Sequence, residues 1–341
     1  MPFTVEQITS QDQWEQYVLS RQETNFLHSA NWADFQAALG KKVFLLGIFN
    51  SGQQVGAILV VKEAAKRGSY LAIAGGPLID WDKLSIEQLK EIFAYLKQLA
   101  KQEHCLFVRF RPQALDTEPL RTKLSKLGVR PAPMHLTADL TLQLDLQQSE
   151  EAILTGMRKN TRYEVRKSDK DQLTTKTSNR PEDIQEFYDH QVALAAKHHF
   201  VPFTYQFLYE QFRIFAADEQ ALLISSYQGN ELLATAYVLF YNGEAVYHYG
   251  ISTPANDRLP GSYAAQWAAI KEAKQRGCRS YNFWGIAPKE DTRHRFAGVS
   301  TFKRGFGGEE VAYLPAHDLP VSPFYQLTYL FETARKKFRH L

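Results

Sequence analysis

The chain has 341 residues, of which 44% are hydrophobic and 13% are aromatic, enough to build sizeable cores. Its length exceeds the size at which one hydrophobic core usually keeps growing, so we expect two domains. The formal net charge of +3 is small. This excludes a protein that is basic throughout, and any contact with nucleic acid requires a local basic patch.

Cysteine content and terminal sequence indicate a cellular compartment. The two cysteines, Cys105 and Cys278, lie far apart and outside any metal-binding spacing. This argues against a disulfide scaffold and favours a reducing environment. The N-terminal residues lack the charged-then-apolar pattern of a secretory signal. No apolar run approaches the ~20 residues of a membrane span. We therefore expect a cytoplasmic protein without a transmembrane segment.

The two halves of the chain repeat one order of predicted elements: helix, β-hairpin, strand, helix and strand. A duplicated α+β domain explains this repetition most simply. The predicted hairpins are 43–50 with 55–62 and 221–227 with 232–241, the third strands 70–74 and 245–249, the helices 86–103 and 262–276, and the last strands 105–110 and 280–283.

The predicted domain boundary follows the alternating segment 140–146, which reads as a strand that closes the first domain. We therefore place the first domain at residues 1–146 and the second at 147–320. A long helix is predicted from about Glu150 to Lys170, with Ser149 as its N-cap. A cleft between two closely packed domains is the expected ligand site.

Residues 301–308 (TFKRGFGG) combine cations, aromatic residues and glycines in one short stretch. Lys303 and Arg304 can hold a phosphate or a developing oxyanion. Phe302 can stack on a base or shield charge from water. The glycines allow the backbone to approach a ligand. This stretch is the strongest candidate for a catalytic or binding segment.

The predicted helix 150–170 carries a one-sided charge pattern. Arg158, Arg162, Arg166 and Lys170 recur every four residues and would share one helical face. Like charges at this spacing repel one another, and a polyanion such as an RNA backbone or a diphosphate would relieve the repulsion. A solvated helix face is an equally weighted alternative.

Residues 258–263 (RLPGSY) resemble the pyrophosphate-binding loop of acyl-CoA acetyltransferases. In that loop, N–H groups at a helix N-terminus hold the diphosphate. Tyr263 stands at the last position of the motif, where its ring would crowd a diphosphate. A plain Pro-Gly turn that begins a helix explains the segment equally well.

Other segments give weaker signals. Gly76 belongs to a Gly-Gly-Pro turn after a strand. Tyr247 and Tyr249 lie near the end of a predicted strand and either face a ligand or belong to the core. His198-His199 has no acidic or cysteine partner nearby, so we predict no metal site. No nucleophile motif, Walker loop or dinucleotide fingerprint is present, which favours direct transfer from a bound donor.

Five segments together resemble, in order and spacing, the Fem-type aminoacyltransferases (FemA, FemB and FemX), which build peptidoglycan interpeptide bridges. The resemblance covers nearly the whole chain. It is closest to short FemX-type members, because no stretch fits the long helical arm of FemA and FemB. The five segments are 26–33 (FLHSANWA), 76–80 (GPLID), 157–163 (MRKNTRY), 281–286 (YNFWGI) and 301–308.

The resemblance implies an α+β fold of two tandem acetyltransferase-like (GNAT-like) domains with a cleft between them and no coiled-coil arm. It implies that the C-terminal helix, within 321–341, packs back on the first domain. It also implies aminoacyl-tRNA as the co-substrate, with no other cofactor. The acceptor would be the stem-peptide amine of a peptidoglycan precursor, either UDP-linked or lipid-linked.

Lys303 matches the family lysine that acts on the tRNA ester, and it is the predicted catalytic residue. Phe302 matches a residue beside the tRNA 3′ end. The predicted tRNA-binding residues are Phe302, Arg304, Arg158 and Arg162, and the predicted substrate-binding residues are Trp32, Gly76, Arg111, Tyr247, Tyr249 and Tyr263.

The chain departs from the family pattern at three positions. Arg111 falls where short members carry an aspartate, so no general base can be assigned. Phe203 falls where an arginine would meet the precursor's diphosphate, and Gln36 replaces a lysine of similar role. We therefore expect other cations, namely Arg111, Arg158 or Arg162, to bind the diphosphate.

Two other functions remain open at this point. An acyl-CoA-dependent N-acetyltransferase is supported by the loop 258–263, and a non-catalytic tRNA-binding protein would share the fold. The basic tail around Arg335 and Lys336 is compatible with peripheral contact with the inner membrane surface. Cations that favour a helix C-terminus are the alternative explanation.

Overall fold

The structure, a computed structural model, describes residues 3–65, 67–198 and 200–339. The strands of these residues are β1 (Thr4–Gln7), β2 (Val43–Asn50), β3 (Gln53–Glu63), β4 (Tyr70–Gly75), β5 (Leu78–Ile79), β6 (Phe107–Pro112), β7 (Arg130–Pro131), β8 (Leu140–Asp145), β9 (Thr174–Ser178), β10 (Ala221–Gln228), β11 (Glu231–Tyr241), β12 (Glu244–Ser252), β13 (Ser280–Gly285), β14 (Glu309–Ala312) and β15 (His317–Pro320).

The helices of the described ranges are α1 (Gln11–Leu19), α2 (Ala30–Ala38), α3 (Ile86–Gln102), α4 (Glu118–Ser125), α5 (Glu150–Gly156), α6 (Lys159–Lys170), α7 (Ile184–His198), α8 (Tyr205–Ala217), α9 (Gly261–Gln275), α10 (Ala297–Arg304) and α11 (Tyr325–Arg339). The longest of them, α3, has 17 residues. A long helical arm is therefore absent from the described residues.

The chain divides into two compact units. Unit 1 comprises Met1–Leu140, Lys289–Arg295 and Val311–Leu341, and unit 2 comprises Thr141–Pro288 and Phe296–Glu310. The predicted boundaries differ from these in two places. Strand β8, predicted to close the first domain, pairs with β13 in unit 2. Strand β15, predicted to lie in the second domain, pairs with β6 in unit 1.

The sheet of unit 1 has the strand order β1-β2-β3-β4-β6-β15-β7, with β5 paired to β3. Strands β2 and β3 form the predicted hairpin. Strands β4 and β6 run parallel and are connected through α3. Helix α3 begins at a capping box of Ser85 and Gln88, and its apolar face, which includes Leu89, Ile92 and Leu96, is fully buried in the core.

The sheet of unit 2 has the order β14-β8-β13-β12-β11-β10-β9. Read from its other edge, it matches unit 1 strand for strand: a first edge strand, a hairpin, a parallel pair joined by a helix, and two further strands. The next-to-last strand is β15 in unit 1 and β8 in unit 2, one late and one early in the chain. The predicted duplication therefore holds for the sheets, although each completing strand comes from a different place.

The parallel pair of unit 2 separates along its length. Strands β12 and β13 pair only from Glu244 to Val246, whereas β12 continues to Ser252. The pairing of β12 with β11 shifts register between Tyr247 and Tyr249. Such a bulge re-aims the side chains around it. Near this opening, the ring centroid of His248 in β12 lies 6.1 Å from that of Trp284 in β13.

The predicted long helix 150–170 is wrong, because the structure contains two helices, α5 and α6. Met157 is extended (φ −68°, ψ 147°), and Arg158 is the N-cap of α6 (φ −54°, ψ 142°). The N–H of Arg158 donates to the carbonyl of Gly305 at 2.9 Å. A tertiary hydrogen bond thus replaces a helical one, and Arg158 does not share a helical face with Arg162.

Helix α11 is tied to unit 1 by a buried network of charges. Arg109 donates to Asp318 through Nε at 2.7 Å and through Nη2 at 2.9 Å. Its Nη2 also contacts Glu332 of α11 at 2.7 Å. The hydroxyl of Tyr325 donates to Asp318 at 2.8 Å. Burial acts to lower the pKa of Arg109, but the carboxylates of Asp318 and Glu332 outweigh it and leave that pKa raised, so the guanidinium stays charged.

Because Asp318 is fully buried, replacing it removes the main counter-charge of a buried guanidinium. We expect Asp318→Asn to lower the free energy of unfolding by about 3–5 kcal/mol. The measurement is urea unfolding followed by circular dichroism.

The matched control is Asp116→Asn, which removes the partner of the half-exposed Arg121. This change should cost much less stability than Asp318→Asn, because solvent screens the exposed guanidinium. Equal losses from the two variants would contradict the role given to the buried network.

Candidate functional site

Helix α10 holds the turn that follows β13. Nζ of Lys303 donates to the carbonyl of Gly285 at 2.8 Å. The N–H of Ala287 donates to Oγ of Ser300 at 2.8 Å, and Nη2 of Arg304 donates to the carbonyl of Ala287 at 2.6 Å. Three side chains of one helix therefore fix the position of this turn within unit 2.

Lys303 is a buried cation held by a carbonyl group. Lys303 is 8% exposed, and its Nζ lies 5.6 Å from the ring centroid of Tyr247. Within the described ranges, no carboxylate forms an ion pair with it. Burial lowers its pKa to about 8, because a low-dielectric environment disfavours the charged form.

This shift has a direct consequence for stability. The folded pKa lies below that of an unfolded lysine, so the unfolded chain binds more protons between pH 8 and about 10.4. The burial of the Lys303 ammonium thus destabilises the fold below pH 8, and this cost falls as the pH rises. A cation retained at such a cost is typical of a functional position.

Aromatic rings pack around Phe302 and Phe306 of the signature segment 301–308. Phe302 lies 5.1 Å from Tyr263 and 5.2 Å from Phe306, measured between ring centroids. Phe283 of β13 contacts Phe306 at 5.3 Å. Phe306 and Phe283 are fully buried, whereas Phe302 and Tyr263 keep part of their surface exposed. These two rings can therefore offer a stacking face to a ligand.

Tyr247 lies under Lys303 because Gly250 leaves room for its hydroxyl. A Cβ at Gly250 would stand 1.8 Å from Oη of Tyr247. Burial raises the pKa of Tyr247 to about 12, against the opposing effect of a hydrogen bond with Gln266. The ring is therefore neutral, and its face attracts the Lys303 ammonium without neutralising it.

Tyr249 belongs to a second group of rings. Its centroid lies 4.7 Å from Phe203 and 5.6 Å from Tyr237. Phe203 is 39% exposed and also stacks on Phe207 at 4.7 Å. The position where an arginine was expected thus contributes an aromatic surface, against which Tyr249 packs.

The predicted tRNA-binding arginines differ in their surroundings. Arg304 forms an ion pair with Glu310 at 2.8 Å, in addition to its bond to the turn. Nη1 of Arg162 donates to the carbonyl of Thr155 at 2.8 Å and so caps the end of α5. Arg158 is exposed, and its guanidinium lies next to Gly305. Of the three, Arg158 is the most accessible cation beside the signature segment.

The glycines of the signature segment shape its packing inside unit 2. A Cβ at Gly305 would stand 2.2 Å from Oγ1 of Thr161, and one at Gly308 would stand 2.4 Å from the carbonyl oxygen of Gln143. Gly307 and Gly308 have positive φ angles of 86° and 90°. The sequence predicted that the glycines let the backbone approach a ligand. In the structure, Gly305 instead packs against α6 and Gly308 against β8.

In unit 1, the two N-terminal motifs contact each other. His28 donates from Nε2 to the carbonyl of Gly75 at 3.0 Å, and its pKa is lowered to about 4 by burial, so the ring is neutral. Trp32, which is partly buried, packs on Phe26 at 5.5 Å between centroids. The turn at Gly76 therefore lies beside the segment that carries Trp32.

Arg111 has a structural role in unit 1 in place of the predicted diphosphate contact. It is fully buried, and its guanidinium donates to the side chain of Gln113 and to the carbonyl of Ala138. The ring of Tyr313 lies 4.5 Å away, and Asp139 lies at 3.8 Å. These interior partners engage the charge that the sequence offered for a diphosphate.

The loop 258–261 is built for packing. A Cβ at Gly261 would stand 2.3 Å from Cβ of Leu233. At the N-terminus of α9, the N–H of Gly261 donates to Leu259 at 2.8 Å, and that of Ser262 donates to Oδ1 of Asn256 at 2.7 Å. Two of the N–H groups that would hold a pyrophosphate are thus already bonded, which weakens the acyl-CoA alternative.

In the described part of the chain, no group of three or more histidine, cysteine, aspartate or glutamate residues is arranged to hold a metal ion. His199, half of the predicted weak metal signal, lies outside the described residues. None of the described helices is both long and apolar enough to cross a membrane.

Several contributors to the site carried no sequence signal. The acceptor for Lys303 is a backbone carbonyl, which any residue at position 285 would supply. Ser300 resembles any helical serine until its contact with Ala287 is known. Gly250 stands inside a strand, and an isolated glycine there indicates a close approach, so this residue could have been found.

The closing glycine of the signature segment generates a testable prediction. Gly308→Ala places a side chain on a positive φ and against the backbone of β8. We expect a loss of about 1–3 kcal/mol in the free energy of unfolding. Urea unfolding measures it.

Gly298→Ala serves as the control, since no atom lies within 4 Å of a Cβ there and the residue is in α10. This change should stabilise by about 0.5–1 kcal/mol through helix propensity. A neutral Gly308→Ala would contradict the packing described above.

The sequence profile of the FemAB family matches residues 9–126 and 217–333. The chain is 34% identical over 122 residues to aminoacyltransferase FemA of Staphylococcus aureus. This alignment covers 36% of the present chain and 28% of that relative. The chain therefore aligns with well under a third of the curated relative's length.

Solved structures show the fold. A FemX structure superposes with a TM-score of 0.83 at 15% identity, covering 96% of this chain and 100% of the other. A tandem GNAT protein from the clavulanic acid biosynthesis pathway superposes at 0.57 and 9% identity, covering 94% and 99%. The predicted fold of two acetyltransferase-like domains is confirmed. Because the family profile covers more than half of the sequence, this chain belongs to the FemAB family.

Proposed function

We propose that this protein is an aminoacyltransferase that moves an amino acid from aminoacyl-tRNA to the stem-peptide amine of a peptidoglycan precursor. The observation that carries the proposal is the buried Lys303 ammonium, which has a carbonyl acceptor and no carboxylate partner among the described residues. Membership of the FemAB family and the aminoacyltransferase name of its relative support the same reaction class.

The reaction forms one bond and breaks another. The neutral acceptor amine attacks the ester carbonyl of the charged tRNA, and a C–N amide bond forms. The C–O bond to the terminal ribose breaks, the nitrogen loses a proton, and the ribose oxygen gains one. Negative charge develops first on the carbonyl oxygen and then on the leaving oxygen, so a fixed cation next to them lowers the barrier.

Lys303 is suited to this task by its surroundings. An ammonium has three donor hydrogens, and the carbonyl of Gly285 engages one of them. The others can donate to the ester or to the leaving ribose oxygen. With a pKa of about 8, the group is mostly protonated at neutral pH and gives up a proton more readily than an exposed lysine.

The surrounding residues fit the remaining needs of the substrates. Phe302 and Tyr263 offer partly exposed rings, on which a terminal base of the tRNA can stack. Arg158 supplies an exposed cation for the RNA backbone. In this proposal the partners are aminoacyl-tRNA and a UDP-linked or lipid-linked precursor, no further cofactor takes part, and the reaction occurs in the cytoplasm.

The proposal predicts a large loss of activity when the cation is removed. Lys303→Met should reduce the rate of transfer roughly 10²–10³-fold, because a charge-stabilising donor is lost. Affinity for charged tRNA should change little. The assay mixes purified protein, both kinds of precursor and a pool of charged tRNAs, and reads the mass of the acceptor.

The control is Lys176→Met, which removes a lysine that also lies over a tyrosine ring, Tyr227, at 4.9 Å but is exposed. Its activity should match the parent protein. If Lys303→Met is folded and fully active, Lys303 has no catalytic role. If thiol release from acyl-CoA is found without any use of tRNA, the donor is wrong.

A further inference from the structure

Helix α11 and the residue before it present an apolar stripe to solvent. Its side chains repeat at spacings of three, four and seven residues, so they lie on one helical face. They are large and strongly exposed: Phe324 at 68%, Leu327 at 67%, Leu330 at 64%, Phe331 at 40% and Phe338 at 88%. We call these five residues the apolar stripe.

The other face of α11 fixes the orientation of the helix. Tyr325 is fully buried, and Thr328 is 9% exposed. Glu332 forms its ion pair with Arg109 of β6 at 2.7 Å. Because this face is anchored on unit 1, the helix cannot rotate to bury the stripe. Single exposed apolar residues are common on proteins, but a continuous patch marks an interaction surface.

Positive charge accompanies the apolar stripe. Arg335 and Lys336 lie in the last part of α11, and the sequence places Lys337 and Arg339 close behind them. The guanidinium of Arg67, in the loop before β4, lies 3.2 Å from the ring centroid of Phe331.

Negative charge is nearly absent from the same segment. Glu332 is the single acidic residue in the sequence of 321–341, and its carboxylate is turned to Arg109 of unit 1. The surface is thus apolar along its centre and cationic at its end and side.

We propose that α11 docks on an anionic lipid bilayer. The apolar stripe enters the boundary between headgroups and acyl chains, and the basic residues contact lipid phosphates, as in amphipathic helices that lie in the membrane plane. A second copy of the chain would match the apolar stripe but would add further cations and no unpaired acid from this helix. Charge complementarity therefore favours an anionic surface over self-association.

The test measures co-sedimentation with vesicles, and its outcome does not depend on aminoacyl transfer. The 341-residue chain should bind vesicles of phosphatidylcholine with phosphatidylglycerol and should bind vesicles of phosphatidylcholine alone much more weakly. Salt should weaken the binding, because it screens the charges. Arg335→Gln/Lys336→Gln should lower the affinity for anionic vesicles about 30-fold, or about fivefold for each charge.

The apolar contribution is tested with Leu327→Ser/Leu330→Ser, which should weaken binding by about tenfold or more. Both leucines are exposed, so thermal unfolding should be unchanged. The matched controls are Lys90→Gln/Lys97→Gln on the exposed face of α3 and Val201→Ser, which is 91% exposed in unit 2. These controls should bind like the parent protein.

Three results would overturn the proposal. The first is equal binding to neutral and anionic vesicles, and the second is no binding to either. The third is a dimer, seen by sedimentation without lipid, that Leu327→Ser/Leu330→Ser converts to a monomer while vesicle binding stays unchanged. The last result would assign the apolar stripe to contact between copies of the chain.

Discussion

The hydrogen bond from the Lys303 ammonium to the carbonyl of Gly285 is the constraint on which the account of this protein depends. It joins the signature helix α10 to the end of β13, and it fixes a charge where burial opposes charge. The ring of Tyr247 attracts the ammonium and so offsets part of the free-energy cost of its burial, but it does not neutralise the charge. The folded chain thus carries a cation whose counter-charge is not supplied by the described residues. A reaction that develops negative charge at this position would supply one transiently.

The topology of unit 2 explains how this arrangement is built. Strands β12 and β13 pair over three residues and then separate, which places Tyr247 and Gly285 at the open end. Helix α10 follows in sequence and returns to that opening, and close contacts at Gly305 and Gly308 hold its end against α6 and β8. In unit 1 the equivalent pair, β4 and β6, stays joined over five residues. The duplicated sheet has therefore been used differently in the two units, with the opened pair in the unit that holds the lysine.

Local sequence patterns predicted most helices and strands correctly. The features that they did not predict depend on contacts between residues distant in sequence. Hairpins, amphipathic helices and their repeated order follow from turns and periodicity, and the structure has them. Two features depend on residues that are distant in sequence. Strand β8 pairs with β13 of unit 2, and the break before α6 is held by the hydrogen bond from Arg158 to Gly305. The burial of Arg111 could not be predicted either, because it results from tertiary packing. The signature segment identified Lys303. Its acceptor, the backbone carbonyl of Gly285, could not be predicted, because every residue type has such a carbonyl.

The state of one ammonium group is the most direct test of this account. Nuclear magnetic resonance of protein labelled in its lysine side chains, with Lys303 assigned by comparison with Lys303→Arg, can follow the titration of its Cε and Nζ. The structure predicts a pKa of about 8 for Lys303, well below the ordinary lysine value of about 10.4. A pKa for Lys303 at or above that ordinary value would mean that its ammonium is solvated or paired with a carboxylate, and would contradict a buried, unpaired cation at this position.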